Sequence, residues 1–302
     1  MQRLTTRNMQ RSVLAAVLLA CVLAFASCAT KDPRPPEDSS AEAVARAAGE
    51  RLEAGRALAA SGQWSEALAE LDQALALTPE NRAALLERAY VHLRRGDAPR
   101  AEADYSAALA APENAPENAP ANTSANISEG KDDSWALAGR GLARSLAGKY
   151  AQAAEDFSGV LAGHPTHRVA LLNRGFCRAR LGEHALAVED FSRIIGLEDA
   201  GAAPGNAGEA VDPLPLYYRA RSLAALGRSV QAALDYERLF ALDRNAAALA
   251  RERILGPEPG ALAGLLAQAK SDADQGKTLP ALDCVARVLL GKDAQACAAM
   301  GF

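Results

Sequence analysis

Few residues in this chain are equipped for catalysis or metal binding. Histidine occurs four times, as His92, His164, His167 and His184, cysteine five times, and aromatic residues make up 5% of 302 positions. His164-Pro-Thr-His167 has a metal-like spacing, but it falls in a turn with no carboxylate or cysteine partner nearby. No phosphate-cradling glycine loop, nucleophile elbow or zinc motif is present. No cofactor and no metal are therefore expected, and the enzyme classes that need them are set aside. The 33 basic residues are outnumbered by 37 acidic ones, for a net charge of -4. That balance lacks the basic stripe a nucleic-acid binder needs. Apolar runs are also short, with one N-terminal exception. Alanine, leucine, arginine and glutamate dominate instead, a composition that favours helix.

What is present is repetition. Trp135 to Pro165 reads as two short amphipathic helices around a Gly-Lys-Tyr turn, and Val169 to Leu197 repeats it column for column. Gly141 and Gly175, Arg140 and Arg174, Gly148 and Gly182, Ala153 and Ala187, and Phe157 and Phe191 are each 34 residues apart. The same period places units at about 48–81, 82–115, 134–167, 168–201 and 213–246, with a degenerate sixth at about 262–295. A helix–turn–helix of this length cannot bury its apolar face alone and must stack on its neighbours. These residues resemble the tetratricopeptide repeat. The resemblance implies an all-α, right-handed superhelical solenoid over residues 41–302.

Each column has a physical assignment. Gly55, Ala89, Gly141, Gly175 and Ala220 on first helices, and Ala67, Ala101, Ala153, Ala187 and Ala232 on second helices, allow close backbone approach. Leu71, Tyr105, Phe157, Phe191 and Tyr236 fill the grooves between units. Gly62, Gly96, Gly148, Gly182 and Gly227 are expected in left-handed turns. In the sixth unit Gly276 takes that column. Arg88 and Asp104, Arg140 and Asp156, Arg174 and Asp190, and Arg219 and Asp235 are each 16 apart. They predict a structural ion pair, either within a unit or between neighbours; a ligand-binding charge ladder is the competing reading. Two insertions interrupt the period, at about 111–132 and 199–211, and read as disordered loops. Cys177 is expected in the core. Cys284 and Cys297 are close enough in sequence to pair in an exported chain, with pairing left open.

The N-terminal 28 residues follow a different logic. Arg3, Arg7 and Arg11 precede the apolar run Ser12 to Ala26, then small residues lead to Cys28. That is the order of a secretory signal peptide. The apolar run is short of the roughly 20 residues that span a bilayer, although an uncleaved anchor is the alternative. Phe25-Ala26-Ser27-Cys28 resembles a bacterial lipobox, departing from it at Phe25; Leu18-Leu19-Ala20-Cys21 is a second match with a shorter apolar run. The resemblance implies lipidation at Cys28, a flexible tether over residues 29–40, and a lipid-anchored, periplasm-facing or surface position on the bacterial cell envelope.

The same family resemblance locates binding on the inner face, lined by first-helix residues. Here these are Leu52, Arg56, Leu86, Tyr90, Trp135, Leu142, Val169, Leu172, Phe176, Tyr217 and Arg221, each of which packing against a neighbouring helix could equally claim. The Lys and Asn clamp by which some family members grip a peptide C-terminus is not recognisable. The expected role is a non-enzymatic scaffold for a protein or peptide partner in the envelope. The alternative is a small hydrophobic ligand, or association with a transporter's substrate-binding protein.

Overall fold

The computed structural model describes residues 40–111, 133–199, 212–245, 247, 261–271, 275–292 and 297. The signal segment, Cys28, residues 29–39 of the tether, nearly all of both insertions, and most of the 246–260 gap lie outside the described residues. Among those described there are twelve helices and no strand. They come in pairs: α1 (Ser40–Ala60) with α2 (Trp64–Leu77), α3 (Arg82–Arg94) with α4 (Ala98–Ala110), and α5 (Ser134–Leu146) with α6 (Tyr150–Gly163). Next are α7 (Arg168–Arg180) with α8 (His184–Asp199), α9 (Leu214–Ala225) with α10 (Ser229–Leu242), and α11 (Ala261–Lys270) with α12 (Gln275–Leu289).

The turn inside each pair is a backbone device set by one glycine. Gly62, Gly96, Gly148, Gly182 and Gly227 take φ between 72° and 82°. In each case the next residue's N–H donates to the carbonyl five positions back, as Gln63 does to Leu58 at 2.9 Å and Lys149 to Arg144 at 2.8 Å. This is the left-handed closure that glycine adopts without steric cost. The sixth unit departs from the expected columns. Gly276 is the second residue of α12 rather than the turn, because α11 stops at Lys270 and α12 begins at Gln275. The left-handed glycine appears instead after α12, at Gly291 with φ 63°.

Small and large residues interlock as the period requires. Ala67, Ala101, Ala153, Ala187 and Ala232 are completely buried, and so are Leu71, Phe157 and Phe191. The large side chain lies first on the small residue of its own unit. A Cβ on Gly141 would meet the Phe157 ring at 3.0 Å, and one on Gly175 would meet the Phe191 ring at 2.7 Å. It also reaches the next unit, where Phe191 stacks on Tyr218 with centroids 5.8 Å apart. Tyr105 does the same against Gly139, whose added Cβ would fall 2.3 Å from the ring.

Every described helix packs on its successor, and first helices also touch the first helices of adjacent units: α1 with α3, α3 with α5, α5 with α7, α7 with α9. Second helices make no comparable contact until α10 meets α12. First helices therefore converge and form the inner, concave face. At the C-terminal end α12 folds back on α10 and α9, covering the last seam (the interface between consecutive units). Cys284 and Cys297 form a disulfide there, with Cα atoms 5.7 Å apart. Cys177 is buried and free.

The arginine and aspartate columns meet inside each unit. Arg88 donates to Asp104 through Nε and Nη2 at 2.8 and 2.7 Å. Arg174 donates to Asp190 at 3.0 and 2.6 Å, and Arg219 to Asp235 at 2.7 and 2.6 Å. Arg140 Nη2 reaches Asp156 at 2.6 Å. Three of the four arginines also bond back to the preceding unit: Arg88 to Asp72 at 2.7 Å, Arg174 to Ser158 at 3.2 Å and Arg219 to Ser192 at 3.1 Å. The expected Arg–Asp pairs therefore form within units, the bonds to the preceding unit go to other residues, and in these three cases one guanidinium fastens three helices. A further arginine four residues on, Arg144 or Arg178, completes the shell of Asp156 or Asp190 at 2.8 and 2.7 Å. These carboxylates are almost fully buried, and a buried charge is tolerated only with such complete pairing.

Candidate interaction face

The first-helix residues divide by column once the helices are in place. Leu52, Leu86 and Tyr217 do not reach the concave face: they are 3%, 4% and 2% exposed and belong to the core. Their shared position lies where neighbouring first helices touch, so contact between units covers it. Leu172, in the same column, is half-buried against the core of units three and four. Arg56 is held by Glu53 at 2.7 Å and Glu87 at 2.9 Å, and its guanidinium is a tie between units one and two. Three residues earlier, in their helices' first turn, Trp135 and Val169 are 49% and 52% exposed. Tyr90, Leu142 and Phe176 are half-buried. Arg221 is exposed, lies over the Tyr217 ring and pairs with Asp283 at 3.4 Å.

Four residues of this face escaped the column reading. Trp64 begins α2 and meets Tyr90 edge to face, with centroids 6.5 Å apart, and Arg94 lies 4.8 Å above the Trp64 ring. Tyr150 begins α6 and meets Phe176 edge to face at 6.1 Å, with Arg180 4.7 Å above the Tyr150 ring. The second set stands 86 residues after the first at every position. That exact offset was a legible signal, but it skips a unit, so a search at the single period passes over it. At the seam between them the corresponding positions are Ala98, Leu142 and Leu146, the last 68% exposed. At the fourth seam His184 takes the aromatic's place, with Nδ1 buried and without a hydrogen-bond partner.

Several other polar groups serve the fold. His167 Nδ1 accepts from the Ala170 N–H at 3.1 Å and caps α7, which accounts for half of the metal-like spacing. No cluster able to hold a metal ion occurs among the described residues. Burial pushes His92 below its ordinary value, opposed by Asp104. The hydrogen bond from Lys149, with Arg144 beside it, holds Glu102 below the usual carboxylate range and ties unit three to unit two. No described helix is long and apolar enough to cross a membrane.

Stacked helical hairpins with a small-residue core define a repeat solenoid. The chain is a tetratricopeptide-repeat protein: residues 52–119 and 139–207 match the tetratricopeptide repeat family. Such repeats are in general non-catalytic scaffolds for protein partners. No curated protein matches the chain in sequence. Among solved structures, a tetratricopeptide repeat protein from Parabacteroides merdae aligns with TM-score 0.53 at 18% identity, covering 84% of this chain and 90% of its own. YrrB, described as a TPR protein with an unusual peptide-binding site, aligns with TM-score 0.52 at 16% identity, covering 68% and 94%. MamA gives TM-score 0.52 at 13% identity, covering 67% and 94%. These likenesses show the fold.

Proposed function

We propose that this protein is a lipid-anchored interaction scaffold of the bacterial envelope, exported by residues 1–28, tethered through Cys28, and binding an extended protein segment along its concave face. The observation that carries the binding reading is the division of the first-helix columns. The regular columns are consumed by packing and ion pairs, whereas Trp135, Val169 and Leu146 leave large apolar surface on the inner side. Exposed apolar residues aligned along one face mark an interaction surface rather than a core. The peptide-binding site named for YrrB supports a peptide on this fold, though at 16% identity only the fold transfers. The Cys284–Cys297 disulfide supports an oxidising compartment such as the periplasm.

Two measurements test the two halves of the reading. Mass spectrometry of the mature N-terminus is expected to find a diacylated Cys28; an unmodified cysteine or an intact Met1 removes the anchor. Crosslinking followed by recovery from solubilised envelopes is expected to yield a protein partner that is lost with Tyr90→Ala/Phe176→Ala. Unchanged recovery would remove the concave face as the contact surface, and recovery of a lipid-like small molecule in place of a protein would favour the ligand-carrier alternative.

A further inference from the structure

The two aromatic–arginine sets repeat too closely in geometry to be incidental packing. In each, an aromatic at the start of a second helix meets an aromatic on the next first helix, and an arginine four residues further on covers both. Arg94 lies 4.8 and 5.7 Å from its two rings, and Arg180 lies 4.7 and 6.0 Å from its own. Both arginines are exposed. Among the described residues neither has a carboxylate partner, whereas Arg56 and all four clamp arginines do. Arg94 uses one nitrogen on the Tyr90 hydroxyl at 2.8 Å. Contact with the rings steadies an exposed guanidinium whose remaining N–H groups have no carboxylate partner among the described residues, an arrangement suited to bidentate capture of a carboxylate.

The nearby acids do not quench these charges. Glu53 and Glu87 are bound to Arg56, and Glu102 to Arg144 and Lys149. Asn173, on the same face, donates its amide to the Val169 carbonyl. In a chain of net charge -4, the concave face therefore carries two uncompensated cations with Leu142 and Leu146 at the seam between them. Touching first helices lie roughly 8–10 Å apart, so two unit steps separate the arginines by roughly 16–20 Å. An extended chain covers that in about five or six residues.

Resting on the scaffold reading above, we infer that the concave face selects an extended acidic segment: two carboxylates about five or six residues apart, one for Arg94 and one for Arg180, with an apolar side chain midway for Leu142 and Leu146.

The test uses the full chain and a labelled synthetic peptide with two glutamates at that separation and a leucine between them, read by fluorescence anisotropy. Comparison probes are the same peptide with glutamines, the same peptide with the leucine replaced by serine, and a single-stranded oligonucleotide. The acidic peptide is expected to bind, and Arg94→Met or Arg180→Met to weaken it by roughly tenfold or more each, the loss of a charge-assisted contact. Methionine keeps apolar cover on the rings, and an unchanged melting midpoint verifies that the variants remain folded. Arg→Lys at either site is expected to recover only part of the affinity, because the planar donor pair is lost. Equal binding of the glutamate and glutamine peptides, unaltered affinity in both methionine variants, or preference for the oligonucleotide would each overturn the inference. A partner recovered from envelopes through Tyr90 and Phe176 while the acidic peptide fails would remove the acidic specificity alone and leave the scaffold standing.

Discussion

Gly139→Ala places one methyl group against the seam between units two and three, and the structure fixes the sign of its effect. The new Cβ would sit 2.3, 2.5 and 2.7 Å from three carbons of the Tyr105 ring, against the ~3.5–4.0 Å that carbon contacts require. Tyr105 is 1% exposed and belongs to the core that joins units one, two and three, so its ring has no open space to enter. Overpacking of this kind costs about 1–3 kcal/mol. Replacing glycine by alanine inside a helix returns about 1 kcal/mol. The net expectation is a loss of up to about 2 kcal/mol, confined to one seam because stability in a stacked array is a sum over neighbours. Gly196→Ala in α8 is the control: nothing lies within 4 Å of its added Cβ, so only the propensity term acts and the variant should gain about 0.5–1 kcal/mol. Guanidinium unfolding followed by circular dichroism reads both. Gly139→Ala is expected to broaden or split the transition, because a weak seam uncouples units one and two from the rest. Gly139→Ala/Tyr105→Leu should recover cooperativity relative to Tyr105→Leu, as the shorter side chain vacates the contested space. A Gly139→Ala variant stabilised as much as Gly196→Ala would refute the packing argument.

Three further outcomes follow from contacts already described. Asp190 is 1% exposed and accepts from both Arg174 and Arg178, so Asp190→Ala strands two guanidinium groups and should cost about 3 kcal/mol or more; an unchanged melting midpoint would disprove the clamp. Reducing the Cys284–Cys297 disulfide, whose partners are 13 residues apart, should cost about 3 kcal/mol on the chain-entropy account. Hydrogen exchange is expected to accelerate in α11 and α12 and stay unchanged in α3 to α8, and uniform exchange rates before and after reduction would contradict this. Burial lowers His92 in the folded state, so below its unfolded value of about 6.5 the unfolded chain binds the extra proton, and stability falls as pH drops through that value. His92→Leu, which installs the residue that unit five carries there as Leu223, should flatten the change in denaturation midpoint between about pH 7.5 and 5.5; an identical slope in the variant would rule His92 out as its source.

Much of this architecture could be read from the sequence because it is written once per unit. The turn glycines, the fully buried alanines and the Arg–Asp spacing are each imposed by helix-pair geometry that recurs, so repetition exposes them. The inner face was less legible for the opposite reason. Leu52, Leu86 and Tyr217 look like groove residues by helix position alone, and only the direct contact between first helices shows that they are core. Trp64, Tyr150, Arg94 and Arg180 pair across seams, from the start of one second helix to the next first helix. Their relationship is invisible within any single unit. The sixth unit failed its column assignment at Gly276 because α12 packs on α10 and α9, and an end unit need not reproduce the interface of an internal one.

The joint between units two and three has a consequence for how this chain can be divided. Arg82 reaches Asp133 at 2.6 Å, Arg144 and Lys149 both hold Glu102, and Tyr105 lies over Gly139. All of these bonds join residues on either side of positions 112–132 and none depends on the peptide chain between them. Continuity of the backbone is thus separable from continuity of the stack. Two fragments ending near residue 111 and beginning near residue 133 carry complementary surfaces, and co-expressed they should reassemble as a split protein, one half reporting on the presence of the other.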